Sequence, residues 1–211
     1  MIDRYSRPEM SQLWELDHKF GKMLQVEIAV AKVQSELGII PKKAYKSIAK
    51  KSKFSVKRIA EIEAVTKHDV IAFVSNLAEN VGPDGKYIHY GLTSSDVLDT
   101  AFSLQIQEAG QVLLASIKRL KQALKKLIIE HADTLCAGRT HGMYAEPTTF
   151  GMKMMGFLAE VERNEERLLR SLKGIQICKL SGAVGTYSSQ DMNIEKRVAR
   201  YLDLDPETVA T

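Results

Sequence analysis

The sequence predicts an all-α fold: a small helical N-terminal domain followed by the start of a long-helix bundle. Three observations lead there. Apolar residues recur at steps of three and four through most of the chain, the spacing of one helix face. The rhythm stops at Gly38 with Pro41, and again at Gly82-Pro83-Asp84-Gly85, residue types that end helices and make turns. The only alternating segment, Lys86 to Leu92, is short, so no strand is expected.

The elements follow in order. Leu13, Leu16, Phe20, Leu24, Ile28 and Ala31 mark the first long helix, and a basic helix runs from Lys42 to about Lys51. Ser55 caps the next helix, which carries Ile59, Ile62 and Val65. Thr66-Lys67-His68-Asp69 reads as a capping box, with Thr66 at the cap and Asp69 reaching back. Thr93-Ser94-Ser95-Asp96 is a second box, ahead of a very long run from Val97 through Leu104 and Leu120 to Ile128. Gly110 is the soft spot of that run before His131. A loop from Gly138 to Glu146 leads through Pro147 into a helix over about Thr149 to Lys173. A Gly- and Ser-rich loop, Leu180 to Gln190, precedes a short helix from about Asn193 to Leu202, and Asp205-Pro206-Glu207 reads as a further helix start. A bundle needs at least three packed helices and two long ones are present, so the chain is expected to be truncated, part of a longer protein.

Composition narrows the function classes. Hydrophobic residues make up 45% of the 211 and charged residues 27%, a balance that supports a packed core. Apolar runs such as Ile28 to Ala31 and Val70 to Val74 are too short to cross a bilayer, and the N-terminus has no signal-type stretch. The two cysteines, Cys136 and Cys178, form no Cys-x-x-Cys pair, which argues for reduced thiols in a cytoplasm and against structural zinc. The net charge is +4, and the basic clusters at Lys42 to Arg58 and Lys118 to Lys126 lack interleaved aromatic residues or a reading motif. They read as solvated faces, not as a nucleic-acid surface. A mild positive excess suits a polyanionic small substrate without singling one out.

Three polar clusters fall at or near helix starts, where unpaired backbone N–H groups and the helix dipole favour anions. His68 follows Thr66 within a turn, Thr93 and Ser94 head the longest helix, and Thr140 and His141 lie in a glycine-rich loop before Pro147. Thr, Ser and His suit carboxylates or phosphates, and a histidine can move protons near neutral pH. Taken singly, each box reads first as a cap, and Gly138-Arg139-Thr140-His141-Gly142 as a turn in which Arg139 pairs with a carboxylate. His89, between Ile88 and Tyr90, fits a packed structural histidine, and His18 and His131 read as structural.

Together, Gly91-Leu92-Thr93-Ser94-Ser95-Asp96, Gly138-Arg139-Thr140-His141-Gly142 and Ala145-Glu146-Pro147-Thr148-Thr149-Phe150-Gly151 resemble the fumarase/aspartase superfamily. Arg4-Tyr5, Thr66-Lys67-His68-Asp69-Val70 and Glu146-Pro147-Thr148-Thr149-Phe150 look like its adenylosuccinate lyase branch, not argininosuccinate lyase, fumarase or aspartase. The resemblance covers essentially the whole chain. It implies an N-terminal helical domain to about Gln111, the first part of a central bundle beyond it, and a homotetramer whose active sites each draw on three subunits. It also implies β-elimination of fumarate from adenylosuccinate, giving AMP, and from succinyl-aminoimidazole-carboxamide ribotide (SAICAR), giving AICAR, without metal or organic cofactor.

The same resemblance distributes the roles. His141 is implied as the general acid toward the leaving nitrogen. His68, held by Asp69, binds the nucleotide and assists that transfer. Thr93 and Ser94 hold a succinyl carboxylate, with Thr140 ordering the site. Arg4 and Tyr5 engage the phosphate, Lys67 adds charge, and His89 lies near the substrate. The glycines of Ser181-Gly182-Ala183-Val184-Gly185-Thr186 imply close backbone packing in the site region. Two departures stand out. Tyr144 occupies a loop position that often carries another residue in the family. The family's Ser-Ser-x-x-Met-Pro-x-Lys-x-Asn loop, which supplies the serine that removes the proton, has no counterpart in the sequence. The expectation is a chain inactive alone. The rival readings are another superfamily lyase acting on a different succinyl or lactone substrate, and a non-catalytic helical oligomerisation module.

Overall fold

A computed structural model describes residues 2–210. The class is all-α, and the chain forms two compact units. One comprises the residues up to Glu108 together with those from Ile175 onward, and the other comprises Ala109–Gly174.

In the first unit a 3-10 turn, Asp3–Tyr5, precedes the short α1, Pro8–Ser11, and the long α2, Leu16–Glu36. The basic helix α3 covers Lys42–Lys51 and α4 covers Val56–Thr66, capped by the Ser55 hydroxyl accepting the Arg58 N–H. Helix α5 runs over Asp69–Val81. The core lies between these helices, where Phe20 stacks on Phe73 with ring centroids 5.5 Å apart and Phe54 packs edge-on to Phe20. On α2 the buried stripe takes in Phe20, Met23, Val26, Ala29, Val30 and Val33, while Leu16 stays exposed.

Helix α6, Ser94–Glu130, starts in the first unit and ends in the second without interruption. Within the second unit, Gly110 is where Leu172 of α7, Phe150–Ile175, comes close: a Cβ at Gly110 would lie 2.4 Å from a Leu172 methyl. Glycine there serves close helix approach, not flexibility. Between α6 and α7 the expected Gly138 to Glu146 loop is instead a β-hairpin, β1 at Leu135–Thr140 and β2 at Met143–Thr149. Its turn is His141-Gly142, with φ of 51° and 73°. Two successive left-handed residues give the turn type whose twist matches an antiparallel pair. Sequence reading missed it because His-Gly is not a usual turn pair and Pro147 argues against a strand. In a two-stranded ribbon both strands are edges, so Pro147 opposite Ala137 is tolerated.

The first unit closes with β3, Ile177–Cys178, then α8, Met192–Leu202, then β4, Asp205–Pro206. Asp205-Pro206 does not begin a helix: the N–H groups of Asp205 and Glu207 donate to the carbonyls of Gln176 and Cys178, forming a parallel ladder with β3. Lys86 to Leu92 forms no strand; a 3-10 turn over Pro83–Tyr87 runs into it. Among the described residues no helix is long and apolar enough to cross a membrane.

Candidate active site

The segment around His68 is a break between two helices. Thr66 ends α4, and Lys67 takes a left-handed conformation that returns its N–H to the Glu63 carbonyl. The expected Thr66 cap is therefore not the cap of α5. His68 is, its Nδ1 accepting the Ile71 N–H at 3.3 Å. A ring nitrogen that accepts carries no proton, so in the neutral ring the hydrogen sits on Nε2 as a free donor. Asp69 lies 3.6 Å from that Nδ1, beyond hydrogen-bond range, and accepts the Val70 N–H instead. The first turn of α5, not Asp69, orients His68.

The head of α6 is built around one carboxylate. Asp96 accepts the Thr93 N–H at 3.0 Å, which is the reaching-back bond of the second box. Its other oxygen accepts the Lys179 ammonium at 2.8 Å and the Gly182 N–H at 3.1 Å. Lys179 also donates to the Ser95 hydroxyl and the Gly182 carbonyl. Asp96 is fully buried and Lys179 nearly so, which places the ion pair between them away from water. The Ser181 to Thr186 loop is thereby tied to the residues that carry Thr93 and Ser94. A second carboxylate holds the same loop, as Glu195 accepts the Leu180 N–H at 2.7 Å and the Tyr187 hydroxyl at 2.8 Å. Burial, then the bond to Glu195, pushes the Tyr187 phenol up to about 12. Gly91 completes the arrangement: a Cβ there would lie 2.9 Å from the Ser189 carbonyl oxygen.

His89 adopts φ 62° and is bound through both its N–H and its ring to Glu27, a buried residue of α2. The non-glycine residues with positive φ among the described residues are Lys67, His89, His141, Tyr187 and Asp203. Three of these five, Lys67, His89 and His141, belong to segments singled out for chemistry, and unusual backbone tends to collect at functional sites.

In the second unit His141 and Thr140 stand exposed at the hairpin tip. The Arg139 guanidinium lies 5.5 Å from the centre of the Tyr144 ring, so it is satisfied by stacking and not by a carboxylate. Arg4 and Tyr5 pair in the same way at 4.7 Å, both exposed. The first unit thus carries Arg4, Tyr5, Lys67, His68, Asp69, His89, Thr93 and Ser94, and the second carries Thr140 and His141. His68, His89 and Thr93 are each held by a partner of their own, namely the start of α5, Glu27 and Asp96. Among the described residues no group of three or more His, Cys, Asp or Glu is placed to hold a metal ion. Sequence reasoning missed Glu27, Lys179 and Glu195. A charged residue inside an apolar stripe was the available signal for Glu27; Lys179 and Glu195 had none.

The family described as Lyase matches residues 3–210. The chain belongs to the lyase family. An adenylosuccinate lyase from Synechocystis sp. is 48% identical over 211 residues, an alignment covering 100% of this chain and 49% of that protein. One from Aquifex aeolicus is 49% identical over 214 residues, with the same shares. The crystal structure of a fumarate lyase from Mesorhizobium sp. BNC1 matches with a TM-score of 0.90 at 30% identity, over 98% of this chain and 51% of that one. This lyase-family chain spans about half the length of the curated relatives it matches.

Proposed function

We propose that the protein carrying this chain is an adenylosuccinate lyase that eliminates fumarate from adenylosuccinate, leaving AMP, and from SAICAR, leaving AICAR. The observation that carries this reading is nearly half identity, across the entire chain, to the adenylosuccinate lyases of Synechocystis sp. and Aquifex aeolicus.

The elimination removes a proton from the carbon beside a carboxylate and breaks a C–N bond. The electron pair becomes the fumarate double bond, and the departing nitrogen takes a proton. Three demands follow: donors for the carboxylate on which charge builds, a proton for the nitrogen, and a grip on the nucleotide phosphate. Thr93 and Ser94, at the N-terminus of the longest helix, meet the first. His141, exposed on its hairpin turn, meets the second, with Thr140 beside it and His68 assisting through its free Nε2. Arg4 and Tyr5, with Lys67, meet the third, a guanidinium being geometrically suited to phosphate. Asp69 serves the nucleotide site beside His68, and His89 lines it. The scheme calls on no metal or organic cofactor, and no residue of this chain is assigned to removing the carbon-bound proton.

The same reading includes an N-terminal domain to Gln111 and a central bundle from Val112, a homotetramer with shared sites, and a cytoplasmic location. Exposed Leu113, Leu120, Met155, Phe157 and Leu169 support the assembly, since apolar side chains in such number favour burial against further helices. Incubating the full-length protein with each succinyl nucleotide tests the activity. Fumarate should appear in equal amount with AMP or AICAR. Release from neither substrate overturns the reading and leaves another lyase chemistry.

A further inference from the structure

Glu27 and Gln34 are seven residues apart on α2, about two turns, and so share one face of the helix. Both are buried, and both reach the turn at His89-Tyr90. Glu27 accepts the His89 N–H at 2.9 Å with one oxygen, and its other oxygen lies 2.6 Å from His89 Nδ1. Gln34 donates to the Tyr90 carbonyl at 2.8 Å and to the Gln190 side chain at 2.9 Å. A carboxylate at 3% exposure cannot lean on water and needs donors close by. His89 supplies two, at the cost of a left-handed backbone.

An ionised carboxylate only accepts hydrogen bonds, so the proton between the two side chains belongs to Nδ1. The nitrogen left free is Nε2, on a side chain still 20% exposed. From this geometry we infer that Glu27 is a positioning residue: it fixes both the direction and the tautomer of His89, so that Nε2 is presented to the nucleotide. The inference rests on the lyase reading for the identity of that ligand, and on Glu27 and His89 alone for the positioning.

Glu27→Gln in the full-length protein is the informative change. The glutamine keeps the size and can still accept the His89 N–H, but it turns an NH2 donor toward Nδ1. The ring proton must then move to Nε2. Nitrogen NMR of histidine-labelled protein, with the His89 signal assigned through His89→Gln, should show Nδ1 protonated in the wild type and Nε2 protonated in the variant. KM for adenylosuccinate should rise roughly tenfold, the size of one charged hydrogen bond. In the His89→Gln background the same substitution should change KM by less than about twofold, because its effect passes through that ring. A wild-type His89 with its neutral-ring proton on Nε2 overturns the inference, and so does an equal KM effect in both backgrounds. If the variant fails to fold, the wild-type spectrum still decides. If the wild type releases no fumarate, the lyase reading fails, and the spectrum tests the positioning separately.

Discussion

The ammonium of Lys179 sits 2.8 Å from the carboxylate of Asp96, and both side chains are out of water. Neither belongs to the substrate set, yet the pair joins the loop after β3 to the residues bearing Thr93 and Ser94. Removing one partner of a buried pair strands the other charge, which costs about 3–5 kcal/mol. Asp96→Asn should therefore lower the stability of the full-length protein by about that amount in urea unfolding. Asp96→Asn combined with Lys179→Met should recover a substantial part, because no charge is then stranded. A double variant as unstable as the single one contradicts this.

Cys178 and Cys136 should differ in reactivity. Burial, reinforced by Glu195, pushes the Cys178 thiol up to about 12, while Cys136 is only partly covered. The thiolate is the reactive form, so near pH 8 Cys178 has almost none and is shielded as well. Alkylation followed by peptide-resolved mass spectrometry should label Cys136 in the native protein and Cys178 only on unfolding. Equal native rates contradict the burial.

Arg58 on α4 donates to both carboxylate oxygens of Glu79 on α5, at 2.7 and 3.2 Å. These bonds hold the Glu79 carboxyl below its ordinary 4.5. A carboxyl depressed on folding adds stability that is complete above its unfolded value and lost as pH falls through its folded value. The difference in melting midpoint between wild type and Glu79→Gln should thus be flat above pH 4.5 and shrink below it. It should also shrink in high salt, since the pair is exposed. A difference that grows on acidification contradicts the assignment.

Periodicity made most of the helices legible, because a buried stripe on a helix must repeat at the helical period. The Thr93 box was legible too, as Asp96 does return to the Thr93 N–H. The errors have a common origin. Thr66 and His68 both fit a cap, and the choice depended on Lys67 turning left-handed, which three-dimensional packing decides. The hairpin around His141 depends on cross-strand pairing over few residues, a signal weaker than a glycine-rich loop in sequence. Glu27 reaches His89 across 62 positions, Lys179 reaches Asp96 across 83 and Glu195 reaches Leu180 across 15. No local pattern encodes such pairings.

Gly151 should be intolerant of even one carbon. A Cβ there would lie 2.8 Å from the carbonyl oxygens of both Ile128 and His131, and backbone cannot step aside as a side chain can. The Gly151 N–H is itself bonded to the His131 carbonyl at 2.9 Å, locking the entry of α7 to the exit of α6. Gly151→Ala should cost about 1–3 kcal/mol, more than alanine gains in helix propensity. A thermal midpoint equal to the wild type contradicts this reading.

Turnover of His141→Gln in the full-length protein tests most directly the proposal that His141 gives the departing nitrogen its proton. General acid catalysis contributes about 10²–10⁴-fold, so fumarate release at saturating adenylosuccinate should fall by that factor. Nucleotide binding, measured by calorimetry, should change little. Turnover equal to the wild type would contradict the assignment.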